Sequence, residues 1–185
     1  MENTKTMHDT TTATTFTLRD ATPADAAALA DLGTRAFVAA FGHMYRAEDL
    51  SAFLEASHSP AKLAKELADP GMAIRVAERD GQMLAFCKLV LDSGLAEHGT
   101  ATRPLELKQL YTDPDSIGGG IGAGLMDWAL GVARQRGADE VQLSVWSGNH
   151  AAQRFYARYG FARIADIHFP VGEQIDEEFL FALRL

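Results

Sequence analysis

Leu105-Glu-Leu-Lys-Gln-Leu-Tyr-Thr-Asp-Pro-Asp-Ser-Ile-Gly-Gly-Gly-Ile-Gly-Ala-Gly-Leu125 reads as a strand running into a glycine-dense turn and then directly into an amphipathic helix. Gly118, Gly119, Gly120 and Gly122 carry no Cβ, so the backbone can turn tightly and approach a ligand closely. The helix behind them begins with N–H groups that lack intrahelical partners and with the positive end of its dipole. Together these features make a pocket for a phosphate or pyrophosphate. The same composition would also serve a flexible surface loop.

A Walker A loop requires Lys-Ser/Thr after its last glycine, whereas Gly120 is followed by Ile121-Gly122, so that reading fails. Gly118-x-Gly120-x-x-Ala123 matches a loose dinucleotide-binding pattern, but the acidic residue that should end the next strand is missing: Ser144-Val145-Trp146-Ser147 stands there. Asp139 and Glu140 precede that strand instead. The strand before the glycines alternates polar and apolar residues, unlike the buried first strand of a nucleotide-binding sheet.

The 185 residues, 47% of them hydrophobic, suit one globular domain with a substantial core. A net charge of −8 argues against nucleic acid as a partner. Cys87 is alone, so no disulfide framework exists, a reducing cytoplasmic compartment is expected, and its apolar surroundings predict a buried structural thiol. No apolar stretch reaches membrane-spanning length. Residues 1–15, rich in threonine, read as a disordered tail before a domain spanning 16–185.

Phe16 to Arg19 reads as a strand, and Thr22-Pro23 as the cap and first position of a helix running to about Phe41. Arg46 to Leu67 is helical in two pieces split near His58-Ser-Pro60. Met72 to Glu78 and Met83 to Leu91 alternate as a hairpin across Asp80-Gly81. After the strand near Leu105 come a helix over Ala123 to Arg136, a strand over Glu140 to Val145 and a helix over Ala151 to Tyr159. Phe161 to Phe169 and Glu177 to Leu183 are the last strands. This order gives an α/β domain with a mixed sheet, antiparallel early and parallel around the glycine turn.

Leu110-Tyr-Thr-Asp-Pro, then Gly118-x-Gly120-Ile-Gly122, resembles the central motif of the GCN5-related N-acetyltransferase (GNAT) family. Val141-Gln-Leu-Ser-Val-Trp-Ser-Gly-Asn149 followed by Phe155-Tyr-Ala-Arg-Tyr-Gly-Phe161 is similar to the strand, Asn-capped helix and closing segment of the same family. Phe37-x-x-x-Phe41, Glu48 to Glu55, Leu63 to Leu67 and His168-Phe-x-x-Gly172 look like its PaiA-type branch, similar to spermidine/spermine N-acetyltransferases. The resemblance implies a single-domain GNAT-like fold, with a mixed, mostly antiparallel sheet of about six to seven strands whose central parallel pair splays at an acetyl-CoA groove. It further implies acetyl-CoA as cosubstrate, a small-molecule amine such as a polyamine as acceptor, no metal, and room for a homodimer. A non-catalytic acyl-CoA-binding sensor with the same fold is the alternative.

On this resemblance the backbone from Ile117 through Gly118, Gly119, Gly120, Ile121, Gly122 and Ala123 would hold the coenzyme pyrophosphate. The strand edge at Leu110, Tyr111 and Thr112 would pair with the pantetheine amides, with a bulge opening a small oxyanion hole near Tyr111 or Thr112. Tyr156 is the candidate general acid, its phenol protonated at neutral pH with a reference pKa near 10; helix packing is its plainer role. Asn149 would bond the pantetheine arm or cap its helix, and Arg158 would reach a coenzyme phosphate or lie on a solvated face.

Glu106 is the candidate base, facing either the acceptor groove or solvent, with His168 and Glu173 behind it. Glu48, Asp49, Glu55, Asp176 and Glu177 complete the carboxylates available to a polyamine. His43 and His58 are expected on surface turns or in satisfied packing, not at a metal. Ile117 departs from the family's usual Gln or Arg, and losing that contact costs about 1.5–3 kcal/mol of affinity.

Overall fold

The computed structural model describes residues 16–185; the expected N-terminal tail lies outside them. Seven strands form one sheet: β1 (Thr17–Asp20), β2 (Met72–Arg79), β3 (Gln82–Val90), β4 (Pro104–Thr112), β5 (Glu140–Trp146), β6 (Ala162–Val171) and β7 (Gln174–Arg184). Their order is β1-β2-β3-β4-β5-β7-β6, and β4–β5 is the parallel pair within it. The helices are α1 (Ala26–Phe41), α2 (Ala47–His58), α3 (Pro60–Leu67), α4 (Ile121–Gln135) and α5 (His150–Arg158).

Strand alternation builds two cores on opposite faces of the sheet. Ala85, Cys87 and Leu89 join Leu105, Leu107, Val141 and Leu143 beneath Leu125, Met126 and Ala129 of α4. Phe86, with Ile74 and Val76, faces Leu29 and Leu32 of α1 and Leu63 of α3. The α2–α3 break falls where expected: Ser59 is extended ahead of Pro60, as a residue preceding proline must be. Its Oγ then accepts from Lys62 N at 3.4 Å and caps α3.

Several elements differ from the sequence reading: Pro23–Asp25 form a 3-10 turn, so α1 starts at Ala26 and not at Pro23. Helix α4 starts at Ile121, two residues early, because left-handed Gly120 ends the turn and opens the helix at once. The β6–β7 hairpin extends past both expected ends, reversing at Gly172 with φ of 60°. Its tip is fastened to α2, where Asp49 Oδ1 accepts from Glu173 N at 3.2 Å and Arg46 bridges Asp49 and Glu173 at 2.8 and 2.7 Å.

The parallel pair holds its register only from Pro104–Glu140 to Glu106–Gln142. Beyond that, β4 stays with β3 up to Thr112 while β5 stays with β7 up to Trp146, so the two strands part. The site opens in this wedge.

Candidate functional site

A cavity of about 1200 Å³ fills the wedge and continues under α1, α2 and α3. At one end lies the glycine turn. Gly118, Gly119 and Gly120 all have positive φ (105°, 62° and 79°), and a Cβ built on any of them would meet nothing within 4 Å. Glycine is therefore required there by backbone conformation, and the space beside it stays open to a ligand. The first closing bond of α4 runs from Gly124 N to Gly120 O at 2.9 Å, so the N–H groups of Ile121, Gly122 and Ala123 precede the intrahelical ladder. An anion fits this cradle.

Asp113 fixes the start of the turn. Its Oδ1 accepts from Asp115 N at 2.9 Å, its Oδ2 accepts from Arg35 of α1, and its own N–H donates to Leu84 O at 2.8 Å. Burial raises its pKa, but Arg35 and the Asp115 amide outweigh burial and hold it below the ordinary value. Because Asp113 N points at β3, antiparallel alternation turns the Tyr111 amide the same way and leaves those of Leu110 and Thr112 on the open edge. The bulge lies upstream of its expected place: Lys88 opposes Gln109 and Leu89 opposes Leu107, which leaves Lys108 as the extra residue.

Leu110, Tyr111, Thr112, Ile117, Gly118, Gly120, Ile121, Gly122, Ala123, Asn149, Tyr156 and Arg158 all line the cavity. Gly119 does not; it shapes the turn. Ile117 is 78% exposed at the rim. Asn149 caps α5, its Oδ1 accepting from Ala152 N at 3.1 Å, which leaves its amide nitrogen to donate. Arg158 lies over the Phe155 ring at 5.5 Å. Tyr156, 9% exposed, packs edge-on to Phe155 and Phe161. Burial, with Cys87 and Tyr111 in electrostatic range, raises its pKa and keeps the phenol protonated. Cys87 is fully buried, and that burial raises its thiol pKa.

The structure places Glu106, expected at the acceptor groove or in solvent, in neither. Only 4% exposed, it lies outside the cavity lining, where it pairs with Lys108 at 3.1 Å and accepts from Gly94 N at 3.3 Å. It sits where β4 and β5 are still paired, ahead of the wedge. His168 and Glu177 are exposed on the hairpin and outside the lining, as are Glu48 and Glu55 on α2. Asp49 and Glu173 serve the hairpin clamp, and Asp176 accepts from Tyr45 and from Gln174 Nε2 at 2.6 Å.

Two carboxylates line the cavity, Glu66 of α3 and Glu178 of β7; Glu178 lies opposite Trp146 of β5. Ser144 bonds it, yet Oε2 is buried without a hydrogen-bond partner. Burial raises its pKa, and nearby Asp176 adds to the rise against the Ser144 bond. A sequence signal for it exists in the alternation Asp176, Glu178, Leu180, Ala182, which puts the acid on the same face as two core residues.

Around Glu178 the cavity wall is aromatic. Phe37, Phe41 and Phe53 come from α1 and α2, Tyr111 from β4, Trp146 from β5 and Phe169 from β6. His58 stands behind them, stacked on Tyr111 with ring centroids 5.8 Å apart. The expectation of satisfied packing or a surface turn fails: His58 is 3% exposed and neither ring nitrogen has a partner. Burial, reinforced by Lys88, lowers its pKa to about 4. Lys88, 2% exposed, donates to Glu66; burial lowers its pKa while Glu66 opposes the shift.

Among the described residues no helix is long and apolar enough to cross a membrane, and no group of three metal-ligating side chains is present.

Residues 36–161 match the family model described as the Acetyltransferase (GNAT) family. An uncharacterized N-acetyltransferase of Mycobacterium tuberculosis is 32% identical over 161 residues, covering 87% of this chain and 98% of that one. A second, from Lactobacillus delbrueckii, is 29% identical over 78% of this chain and 83% of its own. The PaiA N-acetyltransferase of Thermoplasma acidophilum, solved with coenzyme A, superposes with a TM-score of 0.76 at 19% identity, covering 92% of this chain and 99% of its own. Salmonella typhimurium yncA, solved with acetyl-CoA, gives 0.64 at 20% identity over 92% and 94%.

Proposed function

From the premise that the chain belongs to the GNAT acetyltransferase family, we propose that it moves the acetyl group of acetyl-CoA directly to a primary amine of a small molecule. The observation that supports this reading is the wedge between β4 and β5, with an anion cradle at one end and the half-buried carboxylate of Glu178 and the buried phenol of Tyr156 both lining the cavity beyond it. The glycine turn and the first amides of α4 hold the pyrophosphate. Leu110 and Thr112 offer their outward amides and carbonyls to the pantetheine arm, with Asn149 donating from the facing helix.

Only a neutral amine attacks a thioester, and Glu178, directly or through a water, takes the proton that leaves the nitrogen. Its elevated pKa makes it a better base than an exposed carboxylate. As the new C–N bond forms, an edge N–H of β4 faces the carbonyl oxygen where charge develops. The C–S bond then breaks, and Tyr156 gives its phenolic proton to the departing sulfur. The products are the N-acetylated amine and the free thiol of coenzyme A. Tyr156 regains its proton from the one held on Glu178 or from water. Dependence on acetyl-CoA supports a cytoplasmic reaction.

The PaiA-type resemblance brings a polyamine into the panel of acceptors to test. Thiol release from acetyl-CoA across a panel of amines, with the acetylated product confirmed by mass, tests the transfer. Tight acetyl-CoA binding with no turnover of any amine would favour the non-catalytic sensor.

A further inference from the structure

The chain carries a formal net charge of −8, yet the ionisable side chains facing the cavity beyond the coenzyme end are Lys62, Lys88 and Lys108 against Glu66 and Glu178. Lys88 on β3 donates to Glu66 Oε2 from a position 2% exposed. Lys62, one turn before Glu66 on α3, reaches Oε1 at 3.4 Å. One carboxylate therefore serves two ammonium groups, where a neutral buried pair would need only one. Lys62 is 45% exposed on its side chain, so the surplus charge stands at the accessible wall of the lobe. Close by, Gln109, the register partner of Lys88, buries an Oε1 that has no hydrogen-bond partner.

Glu178 belongs to a different wall, on β7, with its own unpartnered Oε2. The phenyl rings of Phe37, Phe53 and Phe169 line the same lobe. It thus presents a carboxylate and amide oxygen that lack donors, a lysine pair sharing one acid, and an apolar surface. A polycation meets lysines where its distal ammonium groups would need carboxylates. The acids that could have held them are exposed outside the cavity lining or engaged with Arg46, Tyr45 and Gln174.

We propose that the acetyl acceptor is an amino-acid-like molecule, its primary amine at Glu178, its carboxylate at the Lys62–Glu66–Lys88 cluster and its apolar side chain against the phenyl rings. This rests on the acetyltransferase reading of the same cavity. The carboxylate gains charge-assisted hydrogen bonds from ammonium groups already held in place, which a decarboxylated amine of the same skeleton cannot make.

Acceptor pairs that differ only in the carboxylate test it: phenylalanine against phenethylamine, leucine against 3-methylbutylamine, with spermidine beside them. Thiol release by the full chain is expected to give at least one acid-bearing member a kcat/KM about tenfold or more above its decarboxylated partner, equivalent to about 1.4 kcal/mol. Lys62→Gln, at a half-exposed helical position, should lower that ratio at least about threefold while acetyl-CoA affinity by calorimetry is retained. Preference for the decarboxylated amines or spermidine, or a ratio that Lys62→Gln leaves unmoved, would overturn this inference and leave acetyl transfer intact. Acetyl-CoA binding with no amine acetylated would remove the transfer reading, and the acceptor assignment with it.

Discussion

The proposed coenzyme end and the proposed acceptor end of the cavity are built from different materials. The coenzyme end is backbone: left-handed Gly118, Gly119 and Gly120, the first amides of α4 and the open edge of β4, drawn largely from one continuous segment. The acceptor end is side chains, contributed by α1, α2, α3, β3, β6 and β7 as well as β4 and β5. A backbone site tolerates side-chain change, which is why Ile117 can occupy the rim without dismantling the anion cradle. A side-chain site can be rewritten residue by residue while the fold stays put. The two ends should therefore respond separately to mutation.

The sharpest separation is expected at Glu178. Glu178→Gln should lower kcat about 10³-fold, within the range of general acid–base contributions, with acetyl-CoA affinity by calorimetry preserved. Weakened acetyl-CoA binding of the same size would merge the two ends and break the comparison. Tyr156→Phe keeps the ring against Phe155 and Phe161 and should cut kcat about 10²-fold, again sparing coenzyme affinity. Full turnover by that variant would leave Tyr156 only its packing role.

At the opposite end, Gly120→Val must strain a φ of 79° and place a side chain in the cradle. Acetyl-CoA binding should weaken at least about tenfold, or about 1.4 kcal/mol, with thermal melts used to confirm folding. Unchanged affinity in a folded variant would remove the phosphate turn.

A further expectation concerns stability and leaves both ends of the cavity aside. His58 has a folded pKa of about 4, below its unfolded value, so the folded state binds fewer protons between the two. Its contribution is fully present above the unfolded pKa and is lost as pH falls toward 4, on the order of 3 kcal/mol in total. Urea melts of His58→Leu should show a shallower loss of stability between pH 7 and 4 than the parent; parallel losses would mean that other groups carry the acid sensitivity.

What was legible in the sequence follows the same division. Glycines that need positive φ, a helix opening behind them and the alternation of β4 are local, so the cradle and the part of the lining that this segment supplies were readable from it. Glu106 shows where local reading stops. Alternation puts it opposite Leu105 and Leu107, but only tertiary structure reveals that β4 and β5 are still joined beside it and that Lys108 bulges out to meet it. Glu178 lay within the expected strand Glu177 to Leu183, but only the pairing of β7 with β5 brings it opposite Trp146 at the cavity wall. His58 was misplaced because a histidine before Ser-Pro looks like a turn residue. Folding instead seats it against Gly33, where a Cβ would collide with the imidazole, and beside the Tyr111 ring.

The pH dependence of kcat/KM, measured side by side for the parent, Glu178→Gln and Glu106→Gln, tests the central assignment most directly. A carboxylate base must be deprotonated to act, so the parent rate should fall as pH drops through the elevated pKa of Glu178. Glu106→Gln should reproduce that limb near the parent rate, and Glu178→Gln should be slow and flat across it. A flat profile in Glu106→Gln with the limb kept in Glu178→Gln would contradict the account and return the base to the strand before the glycine turn.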